Sequence, residues 1–244
     1  MGRQPFLSTL LGCRFFPMLI DLHTHTHPLS HDSELSPDQL IEAAKQAGLD
    51  GVCLTEHDFF WQHENAADLA RRHNFLVIPG IEVNTEDGHV LVFGLERFVF
   101  GMHRTAGLAR LVEEAGGAMV AAHPYRRQLP FELLHAEQPD AEALSVALGR
   151  ALANPVYQLA HAIETHNGRG QIMENEFART VGERTGRPFC AGSDSHQADD
   201  VGRCATAFER PIGGLANLIT ELRAGRVQPV VLREAEPELR KRWQ

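Results

Sequence analysis

The sequence predicts an α/β fold in which parallel strands alternate with helices around a closed or nearly closed barrel. Three observations predict it. Short apolar runs alternate with amphipathic stretches at the spacing of βαβ units. Seven strand-like runs are present, more than a short open sheet needs. The polar clusters fall where strands end, and parallel barrels build their active sites from those C-terminal ends.

The first run, Met18–Leu22, leads directly into His23 and His25. The helix Pro37–Ala47 follows, with Ser36 as N-cap, Pro at its first position and Gly48 at its end. Gly51–Thr55 finishes on Glu56-His57-Asp58, and Asn65–His73 is the next amphipathic stretch. Leu76–Val83 carries Glu82 near its end. His89–Leu95 is irregular, because its polar residue, His89, stands at the start. Arg104–Ala115 precedes Ala118–Ala122, which His123 follows. Residues 125–158 exceed what the helix Ala141–Leu152 needs and read as a lid or small insertion over the barrel mouth. His161–Thr165 closes on Glu164, His166 and Asn167. The helix Gln171–Arg184 stops at Gly186, Pro188–Ser193 leads to Asp194 and His196, and Ile212–Ala224 is the last helix. The expected organisation is one barrel domain over 18–232 with a charged tail at 233–244. Residues 1–17 are either a loose N-terminal extension or a mis-assigned start, since Met18 is a second in-frame methionine; they lack the small-residue cleavage site of a signal peptide.

A length of 244 residues and 43% hydrophobic content suit one domain with a sizeable core. No apolar run approaches the ~20 residues needed to cross a bilayer. The net charge of −9 argues against bulk nucleic-acid binding, which depends on clustered Lys and Arg. Cys13, Cys53, Cys190 and Cys204 form no CxxC pair and read as thiols of a cytoplasmic protein. The unusual count is 14 histidines, and histidine is the commonest side-chain metal ligand.

Alternate residues of a strand share a face, so His23 and His25 point the same way, as do Asp194 and His196. Each cluster alone also fits a surface pair or a strand-end salt bridge. Their coincidence after different strands of one barrel decides for a metal site. Mixed His and carboxylate donors suit Zn²⁺, Mn²⁺ or Fe²⁺ rather than thiolate-rich zinc or all-oxygen calcium sites. The surplus of donors over one ion's needs implies more than one metal.

The series DLHTHTHPLSHDSELSP, TEHD, PGIEV, AAHPYR, IETHNGR and GSDSH resembles the PHP family, named for polymerase and histidinol phosphatase, in the family's order from about Met18 to Gln228. The resemblance implies a distorted (β/α)7 barrel whose C-terminal strand ends hold two to three divalent ions, Mn, Zn or Fe, in a trinuclear site. It implies that His23, His25, Glu82 and Asp194 hold a first metal, His57 and His196 a second, and His123 a third that also touches Glu82. Counting back from Pro37 gives Asp32 as a further ligand; counting forward from His25 leaves His31 open. His89 resembles a histidine that completes the third site in small phosphoesterase members.

The expected activity is hydrolysis of a small phosphorylated substrate: a nucleotide, an oligonucleotide end, or a sugar or amino-alcohol phosphate. Paired metals generate hydroxide at neutral pH and stabilise an in-line displacement, with Asp58 or His196 managing the leaving-group proton. Arg126, Arg169 and Arg203 are the expected phosphate clamps. No polymerase modules accompany the barrel. The competing readings are an amidohydrolase-type metal hydrolase, against which no strand lysine is available to bridge metals, and a non-catalytic metal- or nucleotide-binding regulator.

Overall fold

The computed structural model describes residues 18–130, 133–134 and 140–232. The expected extension 1–17 and tail 233–244 lie outside the described residues, as does Cys13. Within them, β1 (Met18–Thr24), β2 (Gly51–Leu54) and β3 (Leu76–Pro79) run parallel. They share a five-stranded sheet of order β10-β9-β1-β2-β3 with β9 (Cys204–Phe208) and β10 (Val227–Val231). A second sheet has the order β4-β5-β6-β7-β8, from β4 (Ile81–Thr85), β5 (Gly88–Phe93), β6 (Ala118–Ala121), β7 (Ala162–Asn167) and β8 (Phe189–Gly192).

The expected α/β class is present, with the strands in two mixed sheets; the ladders of the described residues do not close one ring. Two local features account for this. The expected third strand breaks at Pro79-Gly80, where a Cβ on Gly80 would lie 2.7 Å from the Phe93 ring. Between Thr85 and Gly88 only two residues connect β4 to β5, too few for a parallel crossover, so β5 runs antiparallel to β4 and to β6. Isolated parallel bridges, Thr24 to Ser195 and His57 to Glu82, join the sheets where β1, β2 and β8 finish. That junction holds the functional side chains.

The helices α1 (Pro37–Gln46), α2 (His63–His73), α3 (Thr105–Glu114), α4 (Ala141–Ala153), α6 (Ile172–Thr185) and α7 (Leu215–Ala224) occupy the expected stretches, while the short α5 (Val156–Leu159) was not expected. In α1, Ser36 accepts from the Gln39 amide while the Gln39 side chain accepts from the Ser36 amide, the reciprocal box its sequence encodes. The α6 C-cap, Gly186, takes the left-handed φ of 67° that favours glycine. Leu40, Ile41 and Ala44 of α1 pack with Val52 and Leu54 of β2, and Phe177 and Val181 of α6 pack with Ile81, Val83 and Val92. Each of these buried side chains larger than alanine contributes about 1.5–3 kcal/mol. Among the described residues no helix is long and apolar enough to cross a membrane.

Candidate metal centre

Glu82 is the hub. It is buried in β4, whose backbone bridges to the turn after β2: the Glu82 amide donates to Glu56 O and the Asp58 amide donates to Glu82 O. Its Oε1 lies 2.8 Å from His89 Nδ1, 3.0 Å from His123 Nε2 and 3.3 Å from His23 Nε2. Oε2 lies 2.8 Å from His57 Nδ1 and 3.4 Å from His25 Nε2. The irregular position of His89 now has a cause: β5 is antiparallel, so its first residues lie at the end where the parallel strands finish.

Asp194 faces the hub from β8. Its Oδ1 is 3.3 Å from His25 Nε2, 3.7 Å from His23 Nε2 and 3.5 Å from His196 Nδ1. The other oxygen, Oδ2, accepts from Arg126 Nη1 and, at 3.3 Å, from Asn167 Nδ2. Asp194, His123 and Asp58 have left-handed backbones with φ of 54°, 26° and 49°, uncommon for residues with a side chain; the chain bends sharply just past these strands. Asp32, exposed like the neighbouring His31, reaches His196 Nε2 at 3.0 Å and His57 Nε2 at 3.5 Å through Oδ2.

This donor set fits cations. Four overlapping triads offer ligand atoms within 4.8 Å of one another: His25/His57/His196, His23/His25/Glu82, His23/His123/Asp194 and His57/Glu82/His89. At their centre His23 Nε2, His25 Nε2 and Glu82 Oε2 are buried and make no hydrogen bond of good geometry, the 2.8 Å approach of His57 Nδ1 to Oε2 included. Each such atom costs about 1–3 kcal/mol unless something satisfies it. Burial drives His25 well below the ordinary histidine range and pushes His123 down, leaving neutral rings able to coordinate. Burial also opposes ionisation of Glu82, but His23 and its neighbours outweigh it and hold the carboxylate well below its usual range. For His23 burial is again overcome: Glu164 and Glu82 raise the ring to about 10, so the cluster's carboxylates call for positive charge there.

Outer contacts that sequence reasoning left without roles orient these donors. His23 Nδ1 lies 3.0 Å from Glu164 Oε1. His25 Nδ1 lies 3.2 Å from Ser30 Oγ, which donates to Glu56 Oε2 at 2.6 Å. Glu56 also accepts from the Thr26 amide, the Thr26 hydroxyl and Trp61 Nε1. The sequence signal was present: Glu56 and Glu164 are acids at the ends of apolar strands, where an unpartnered charge is costly.

Beside the hub a cleft of about 420 Å³ is lined by Asp32, His57, His89, His123, Asp194 and His196 on one side. Arg126, Arg127 and Arg169 line it as well, together with Tyr125 and Tyr157. Residues of the 125–158 segment thus supply part of the cleft wall; 131–132 and 135–139 lie outside the described residues. Arg127, Tyr125 and Tyr157 were not anticipated. Two expected residues are not brought here. Asp58 Oδ1 accepts from the Asn84 amide at 3.1 Å and faces His103 at 3.9 Å, because its left-handed backbone turns the side chain to β4. Arg203 bonds Asp199 O and Gly168 O, pairs with Asp200 at 3.1 Å, and lines a different cavity.

A family model described as the PHP domain matches residues 21–169, and one described as PHP-associated matches residues 173–227. The chain belongs to the PHP family. Of curated relatives, the PolC-type DNA polymerase III of Oceanobacillus iheyensis is 31% identical over 71 residues, covering 29% of this chain and 5% of that polymerase. The chain thus spans only a small fraction of that relative. An uncharacterized protein of Methanocaldococcus jannaschii is 26% identical over 118 residues, covering 44% of this chain and 68% of that protein. Among solved structures, PsfC from Pseudomonas syringae superposes with a TM-score of 0.60 at 19% identity, covering 94% of this chain and 97% of that one. A Bifidobacterium adolescentis protein, named only provisionally as a metal-dependent phosphoesterase, gives 0.51 at 17% identity over 73% of this chain and 88% of that one. An amidohydrolase from Chromobacterium violaceum, with bound sulfate and no metal, gives 0.50 at 18% identity over 90% of this chain and 99% of that one. These structural likenesses concern the fold of this PHP protein.

Proposed function

We propose that this PHP protein is a metal-dependent phosphoesterase acting on a small phosphorylated substrate. One observation carries the reading: a buried histidine–carboxylate hub with three unsatisfied donor atoms opens onto a cleft that also bears three arginines. His23, His25, His57, Glu82, His89, His123, Asp194 and His196 would hold two to three divalent ions, with Asp32 at the edge. Such ions supply Lewis acidity and lower the pKa of a water toward neutrality. Zn²⁺, Mn²⁺ and Fe²⁺ suit these donors.

The protein's own groups divide the remaining work. Among the described residues the guanidinium groups of Arg127 and Arg169 have no carboxylate partner, so both can meet phosphoryl oxygens in paired hydrogen bonds. Arg126 commits Nη1 to Asp194. Burial, and then Arg169, holds His196 at about 4, so at neutral pH its ring is unprotonated and suits a ligand, not a proton donor. Asp58 turns its carboxylate to the Asn84 amide and His103 and does not line the cleft. The cleft, bounded by Tyr125 and Tyr157, suits a small ester better than duplex nucleic acid.

Phosphate release from a panel of phosphomonoesters and diesters, after loading with Mn²⁺, Zn²⁺ or Fe²⁺, tests this reading. Turnover with at least one ester is the expected result; hydrolysis of amides and not esters would transfer the site to the amidohydrolase reading. Against that reading, the chain's lysines are Lys45, paired with Glu42 at the surface of α1, and Lys241 in the tail. Glu82, within reach of five histidines, would serve as the shared carboxylate in place of such a lysine.

A further inference from the structure

We infer that Glu164 is a positioning residue that fixes the His23 tautomer and, through Asn167, the orientation of Asp194, bracing donors from three strands with one buried carboxylate. The inference rests on the metal reading of the site. Glu164 sits in β7, fully buried, and is not among the groups able to hold an ion. Both its oxygens accept. Oε1 faces His23 Nδ1 at 3.0 Å; Oε2 takes the His123 amide at 2.8 Å and Asn167 Nδ2 at 3.0 Å. Asn167 Nδ2 also lies 3.3 Å from Asp194 Oδ2. One side chain therefore reaches the ring of His23 after β1, the backbone of His123 after β6 and, through one amide, the carboxylate of Asp194 after β8.

The chemistry gives this contact a consequence. Oε2 already takes two N–H donors, the His123 amide and Asn167 Nδ2, so Oε1 is the acceptor left to His23 Nδ1. With Nδ1 donating to Glu164, Nε2 faces Glu82 and Asp194 and is the nitrogen left to hold an ion. That is the arrangement by which a second carboxylate fixes a ligating histidine. Gly192 makes room for it: a Cβ there would lie 2.4 Å from His23 Cβ and 2.7 Å from Glu164 Oε1.

Glu164→Gln isolates the effect because it keeps the shape and replaces one acceptor by a donor. If the new amide group faces Oε2's partners, it opposes both the His123 and the Asn167 donors. Facing His23 it opposes one, and the ring can yield by moving its proton to Nε2. The substitution should therefore invert the His23 tautomer and block its coordinating nitrogen. Two measurements test this: ¹⁵N shifts of the labelled His23 ring in zinc-loaded protein, and zinc affinity by competition with a chromogenic chelator. The wild type should show an Nδ1–H ring. Glu164→Gln should show Nε2–H and lose zinc affinity at one site by about 10–100-fold, with a folded circular dichroism spectrum. A wild-type Nε2–H ring overturns the inference, and so does a Glu164→Gln variant with unchanged zinc affinity. The wild-type tautomer needs no variant, so it decides even if Glu164→Gln does not fold. If the wild type bound no zinc, Mn²⁺ or Fe²⁺, the proposed function would fall, a result separate from either tautomer outcome.

Discussion

Asp32 Oδ2 sits 3.0 Å from His196 Nε2, joining the loop after β1 to the loop after β8 across the mouth of the cleft. Burial is the largest single influence and opposes ionisation of this carboxyl, but His196 and His57 together outweigh it and lower its pKa, so it stays charged beside both rings. Of the two readings of the HTHPLSHD spacing, the geometry places Asp32 and not His31 against the histidines. Asp32→Ala should cut turnover by orders of magnitude while His31→Ala changes it little. Steady-state rates of the two variants check this, and the reverse ranking would move the edge ligand to His31.

The unsatisfied centre makes a prediction about metal removal. With His23 Nε2, His25 Nε2 and Glu82 Oε2 buried and unpartnered, stripping bound ions should cost folding stability as well as activity. Elemental analysis of purified or reconstituted protein should find two to three equivalents of Mn, Fe or Zn. Dialysis against a chelator should lower the melting temperature, and restoring the ions should recover it. At most one equivalent after every reconstitution would end the multinuclear reading.

How much of this was legible in the sequence depends on the kind of signal. Helices were, because their caps are local: Ser36 with Gln39 and Gly186 fix ends without reference to the rest of the fold. The clustering of donors was legible because strand-end residues converge in most parallel α/β architectures. Strand direction was not. A two-residue connection after Thr85 forces β5 antiparallel, but the apolar runs look the same in either direction. The strands β9 and β10 were missed for different reasons. Cys204–Phe208 is buried on both faces and shows no alternation, and Val227–Val231 contains Pro229, which an edge strand tolerates. Orientation beyond the strand ends was also invisible: the left-handed Asp58 turns away from the site, and nothing in its residue type announces that.

Gly192 offers a packing test that avoids the donors themselves. Its absent side chain leaves the space in which His23 meets Glu164, with His23 Cβ only 2.4 Å from where a Cβ would stand. Gly192→Ala should therefore displace the β1 and β8 strand ends and destabilise the fold by about 1–3 kcal/mol, as overpacking does. Chemical denaturation measures the loss. A wild-type unfolding midpoint would show that the two strands separate there without cost.

The arginines of the cleft divide by their partners. Arg126 gives Nη1 to Asp194 Oδ2, the oxygen that does not face the histidines, and is largely buried. Arg127 and Arg169 carry no such commitment among the described residues, yet they lie close enough to Arg126 to help burial lower its pKa. A free guanidinium that meets a phosphoryl group equally in ground and transition states contributes to binding alone. Arg169→Ala should then weaken substrate binding by about 1.5–3 kcal/mol, the worth of a charge-assisted hydrogen bond, or roughly 10–150-fold. That loss should appear in KM with kcat nearly unchanged. Arg126→Ala should behave differently, because it also frees a carboxylate of the hub: kcat should fall along with any rise in KM. Initial-rate measurements of both variants on one phosphorylated substrate separate the cases. If Arg126→Ala raises KM alone, Asp194 does not depend on it and Arg126 returns to the role of a clamp. If Arg169→Ala lowers kcat without touching KM, its guanidinium acts on the transition state and belongs with the catalytic groups.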